Sequence, residues 1–93
     1  MRRYALAILS MPRHRAAMLA SQLQDLIVST LVKQVGGTQR RWRIALGPIK
    51  LRDPLSYWHC NWEVTPSGTP RENAAIERLL DNIRLEHPTA SPG

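Results

Sequence analysis

From Arg13 to Val35 the apolar residues Met18, Leu19, Leu23, Leu26, Ile27, Leu31 and Val35 recur at steps of three and four. That spacing lines one face of an α-helix, so the pattern predicts a helix over about 13–35. Gly36-Gly37 supplies its stop, because glycine enters the left-handed conformation that closes a helix without a Cβ clash. Ahead of it, Arg3 to Leu9 is a short, mostly apolar run halted by Ser10-Met11-Pro12. The run reads as a buried strand, with its alanines leaving a helix open.

A period of two takes over after the glycines. In residues 40–46 Trp42, Ile44 and Leu46 alternate with Arg41, Arg43 and Ala45, and in residues 57–64 Trp58, Cys60, Trp62 and Val64 alternate with Tyr57, His59, Asn61 and Glu63. Alternation of this kind marks half-buried strands. Between the two runs the phase slips at Gly47-Pro48, moving the apolar positions to Ile49 and Leu51 before an Asp53-Pro54 turn. An antiparallel hairpin of about 40–52 and 56–65 is the expectation, with all three tryptophans and Cys60 on its inner face.

Thr69-Pro70-Arg71-Glu72 gives the sharpest local signal. A hydroxyl at the N-cap, proline at the first helical position and glutamate at the third form a capping box, and Ile76, Leu79, Leu80 and Ile83 follow as a buried stripe. Pro88 forbids much continuation, so this helix should run over about 70–87. The order βαββα predicts an α+β chain, a small two-layer α/β sandwich in which the hairpin and the N-terminal strand are covered by two helices. Residues 1–88 should form one domain, and the polar 89–93 a disordered tail.

Size and charge narrow the function. A chain of 93 residues has room for one small core, which argues against deep cofactor pockets. The net charge is +6, and its distribution is uneven: residues 1–52 hold ten cations and only Asp25, whereas residues 53–93 hold three cations and six acids. Eleven of the thirteen cations are arginine, which binds phosphate through two parallel hydrogen bonds where lysine acts as a point charge. A basic half of this kind attracts polyanions.

A single cysteine, Cys60, leaves no intrachain disulfide, so a reducing, cytoplasmic setting is expected. The start MRRYALAILSM imitates a signal peptide, and its lack of acids a mitochondrial presequence, but Pro12 and Arg13 cut the apolar run at about eight residues. No apolar stretch approaches the roughly 20 residues of a membrane span.

Catalytic and metal patterns are weak. His14, His59 and His87 fall in three different elements, and His59 should face away from Cys60, so no Cys–His nucleophile pair is expected. Neither CxxC nor HExxH spacing occurs, and neither a Walker loop nor GxGxxG, so no metal, nucleotide cofactor or small-molecule substrate is expected, and no enzymatic activity. The more specific constellation is the outer hairpin face, where Arg41 and Arg43 stand beside Tyr57, His59 and Asn61. Arginine holds phosphate while Tyr and His stack on bases, so these five residues, with Arg2, Arg3, Arg13 and Arg15, form a candidate nucleic-acid surface. The alternative is a protein–protein adaptor or a homodimer formed by pairing of a sheet edge.

Overall fold

The computed structural model describes residues 17–93, with the order β1 (Met18–Leu19), α1 (Ala20–Gln34), α2 (Gln39–Leu46), β2 (Lys50–Leu51), β3 (Trp62–Glu63), α3 (Pro70–Glu86) and β4 (Ala90–Ser91). The α+β class is as expected. Three helices and two small sheets surround one core, in an arrangement compatible with a small α/β sandwich. The expected N-terminal strand, and residues 13–16 of the first expected helix, lie outside the described residues.

The core draws on every layer. Leu23, Ile27 and Leu31 of α1 succeed one another at steps of four and meet Ile76, Leu79, Leu80 and Ile83 of α3, which follow the i, i+3, i+4, i+7 pattern read from the sequence. Trp42, Ala45 and Leu46 of α2, Trp62 and Val64 at β3, and Ala90 of β4 complete it. Gly36 and Gly37, with φ of 102° and 90°, turn the chain from α1 into α2 through the left-handed region. Gly68 serves a different need: a Cβ there would sit 2.7 Å from the Ala45 Cβ and collide with the Glu72 carboxylate, so only glycine lets this strand-to-helix link pass between α2 and α3.

The largest departure from expectation is residues 40–46, which form a helix and not the first strand of a hairpin. RRWRIAL satisfies both periods. The helix buries Trp42, Ala45 and Leu46 at i, i+3 and i+4 and leaves Ile44 55% exposed, whereas the strand reading would have buried Ile44 and exposed Ala45. The ends decide. Thr38 caps the helix, its Oγ1 accepting from Arg41 N at 3.2 Å, and Gly47 ends it with φ 73°.

The hairpin survives only at its base, where Lys50 faces Glu63 and Leu51 faces Trp62 in antiparallel register. Arg52 N extends the pairing by donating to Asn61 O at 2.6 Å. Beyond it the chain leaves strand geometry for a loop over residues 52–60. Trp42 and Trp62 are buried, as expected, and both indole N–H groups are satisfied, donating to Gly36 O at 2.7 Å and His87 O at 2.8 Å. Trp58, expected in the core with them, is 73% exposed because it falls within the loop.

Residues 89–93 are also tied down where a loose tail was expected. β4 pairs in parallel with β1, Met18 against Ala90 and Leu19 against Ser91. Gly93 O accepts from Ser21 N at 2.8 Å, satisfying one of the free donors in the first turn of α1. None of the described helices is long and apolar enough to cross a membrane.

Candidate functional site

Two of the three arginines of α2, Arg41 and Arg43, are tied to carboxylates. Thr69 and Glu72 form the capping box expected of α3, with Glu72 N donating to Thr69 Oγ1 at 3.1 Å and Thr69 N donating to Glu72 Oε1 at 2.9 Å. Glu72 also receives both arms of the Arg41 guanidinium, from Nε at 2.7 Å and from Nη2 at 2.6 Å. One carboxylate thus locks the start of α3 and clamps it to α2. Arg43 donates to Asp25 Oδ1 at 2.7 Å and stands 3.4 Å from Gln24 Oε1, joining α2 to α1.

Hydrogen bonds from Arg41 first, and then from the Thr69 amide, hold the Glu72 carboxyl at about 2, well below the ordinary 4.5. A group whose folded form resists protonation contributes stability that is complete above the unfolded value and is lost as pH falls through the folded one. The melting temperature of the wild type should therefore exceed that of Glu72→Gln at neutral pH, with the gap closing between about pH 4.5 and pH 2. A gap that stays constant through acid titration would remove the clamp from this account.

Of the five residues expected on one hairpin face, the structure brings only Tyr57 and His59 together. Arg41 and Arg43 belong to a different element and face other helices. Asn61, expected outward, is 3% exposed: its Nδ2 donates to Ala90 O at 2.8 Å and Arg52 O at 3.3 Å, and its Oδ1 accepts from Ala90 N at 2.7 Å. Asn61 is a structural bracket between the hairpin base and β4. Arg2, Arg3, Arg13 and Arg15 lie outside the described residues.

The loop of residues 52–60 is instead the chemically distinctive surface. Leu55 is 89% exposed, Trp58 73% and Tyr57 50%, an accumulation of bare apolar area that a stable monomer would ordinarily bury. Asp53 gives the loop its shape. Its Oδ1 accepts from Leu55 N at 3.0 Å, its Oδ2 lies 3.4 Å from the Ser56 hydroxyl, and its carbonyl accepts from Ser56 N at 3.1 Å and Tyr57 N at 2.9 Å. The Trp58 and His59 rings lie against each other, centroids 3.6 Å apart and planes at 32°. The Arg52 guanidinium lies 5.8 Å from the centre of the Tyr57 ring, within cation–π range.

Cations gather at the foot of this loop. Arg52 binds Glu63 at 2.8 Å, and it is chiefly this contact, with weaker help from Lys50 and Arg84, that holds the Glu63 carboxyl below its usual range. Lys50 stands opposite Glu63 in the β2–β3 register, and Arg84, 5.7 Å from the centre of the Trp62 ring, reaches Asp81 at 4.0 Å. The sequence held one signal for this surface: Leu55, Tyr57 and Trp58 follow directly on Asp53-Pro54, a turn that interrupts strand alternation.

Among the described residues no catalytic set forms around the thiol, which the hairpin pattern pointed inward. Cys60 is half-buried and its Sγ donates to Trp62 O at 3.3 Å. Among the described residues no cluster of His, Cys, Asp and Glu is arranged to hold a metal ion. No protein-family model, no curated protein and no solved structure matches this chain.

Proposed function

We propose that this chain is a small basic nucleic-acid-binding protein whose contact surface is the loop of residues 52–60. The observation that carries the reading is the exposure of three consecutive ring side chains, Tyr57, Trp58 and His59, on a braced loop whose foot carries Lys50 and Arg52 beside Glu63. Rings offer stacking faces to bases and cations meet phosphate, the two ingredients of nucleic-acid binding that does not depend on sequence. The overall charge of +6 adds long-range attraction, four of those charges belonging to the arginines of residues 1–16.

The test is titration of a labelled mixed-sequence oligonucleotide at about 50 mM and at higher salt. Micromolar binding that weakens with salt is expected. Tyr57→Ala with Trp58→Ala should lose about 1–3 kcal/mol of affinity per ring while the melting temperature holds, because both side chains are exposed. No micromolar binding at the lower salt would overturn the reading.

A protein-adaptor or homodimer reading draws on a specific residue, Leu55, whose aliphatic side chain is almost fully exposed and has no stacking face to offer a base. Under that reading Leu55→Ser weakens partner capture or self-association as much as Trp58→Ala does. Under the nucleic-acid reading Leu55→Ser leaves oligonucleotide affinity unchanged. Sedimentation at low and high salt completes the comparison, since a tight, salt-indifferent dimer without nucleic-acid affinity belongs to the second reading.

A further inference from the structure

We infer that the loop selects unpaired bases over duplex, taking a base onto the open face of Trp58 in continuation of the Trp58–His59 ring pair; this inference rests on the nucleic-acid reading above. Three features support it. First, His59 lies against Trp58, yet Trp58 remains 73% exposed, so the indole is backed by a neighbouring ring while much of its surface stays available. A base added there extends a short stack, the contact by which single strands are held irrespective of sequence. Second, the loop is shaped in advance by the four Asp53 contacts and closed by the Arg52–Asn61 and β2–β3 pairings, which lowers the ordering cost of binding.

Third, among the described residues the hairpin is too short for a groove-reading ribbon and two of the α2 arginines are tied down. Groove readers present a helix or a two-stranded ribbon with free hydrogen-bonding side chains. Here β2 and β3 are two residues each, and two of the three α2 arginines, Arg41 and Arg43, are held by Glu72 and Asp25. A paired base reaches Trp58 only after leaving its stack, which costs a few kcal/mol that an unpaired base does not incur. Arg52 is likewise held by Glu63, so Lys50, exposed at the base of the hairpin, is the cation that supplies phosphate contact, and the loop accounts for about one.

Tryptophan emission gives a direct readout, because Trp42 and Trp62 are buried and Trp58 alone of the three faces water. The protein is titrated with a single-stranded twelve-nucleotide oligothymidylate, its oligouridylate counterpart, and the duplex of the thymidylate with oligoadenylate. Both single strands should bind at least tenfold more tightly than the duplex and quench the solvent-exposed emission. Trp58→Ala should weaken single-strand binding by roughly 5- to 150-fold and leave duplex binding unchanged, and Trp58→Phe should recover most of the loss by restoring a ring. Salt dependence assigned to the loop should correspond to about one phosphate, a log–log slope near −0.7 for a single strand.

Equal affinity for single strand and duplex with Trp58 emission quenched would overturn the preference for unpaired bases while the nucleic-acid reading stands, whereas single-strand binding that leaves Trp58 emission untouched would overturn both this inference and the loop as the contact surface. Absence of micromolar binding to all three probes would overturn that reading itself.

Discussion

Trp62→Ala should destabilise the protein by about 3–5 kcal/mol, read as a fall in the urea midpoint with no loss of slope. The indole is 2% exposed and sits where β3 meets α3, with the Arg84 guanidinium 5.7 Å from its centre. Truncation opens a cavity that three helices and a two-residue strand cannot close without moving. It also strips the hydrogen bond to His87 O, leaving the end of α3 without the partner that fixes it. A domain of this size has about 5–15 kcal/mol of total stability, so the variant should be close to unfolding at 37 °C. Trp62→Phe keeps much of the volume and loses the N–H, and should fall about midway. A variant as stable as the wild type would mean that this ring is not central to the core.

Asn61→Ala should be nearly as damaging through a different mechanism. Ala90 is 3% exposed, and its amide and carbonyl are both held by the Asn61 side chain. Removing that side chain leaves two buried backbone groups without partners, each costing about 1–3 kcal/mol. The loss should be local before it is global, with the Ala90 and Met18 amides exchanging hydrogen faster as β4 separates from β1, while the amides of α3 stay protected. Asn61→Asp should be worse than alanine. It keeps the volume but turns a carboxylate oxygen toward Ala90 O and Arg52 O, which need a donor. Unchanged protection at Ala90 in either variant would contradict the bracket.

The two rings of the core, Trp42 and Trp62, differ in their burial from the rings of the loop. Tyr57 and Trp58 make no comparable contribution to the interior, so a binding defect in their variants can be separated from unfolding by the melting temperature alone.

The sequence by itself determined the features that are local. The capping box at Thr69 and Glu72, the proline at the start of α3, its stripe of Ile76, Leu79, Leu80 and Ile83, the Leu23, Ile27 and Leu31 face of α1 and the Gly36-Gly37 stop all appear where the pattern put them, whereas Met18 and Leu19, expected on that helix, form β1. Each depends on residues within one or two turns, so backbone geometry and spacing suffice to specify it. The inward setting of Trp42 and Trp62 was equally legible, because large apolar area has to leave water wherever a layer covers it.

What the tertiary structure decided is how the ambiguous segments resolved. RRWRIAL fits a strand and a helix equally, and the helix prevails because Ala45 beside Trp42 and Leu46 lets α2 approach the Gly68 link closely, where Ile44 would not fit. Asn61 and Trp58 exchanged their expected sides because the hairpin stops pairing after Arg52, beyond which side chains follow loop geometry, and because Ala90, 29 residues away in sequence, offered Asn61 a buried backbone pair to bind. Arg41 and Arg43 became ties between helices for the same reason, their carboxylates lying 31 and 18 residues away. Partners at such separations leave no periodicity in the chain, and only packing brings them within reach.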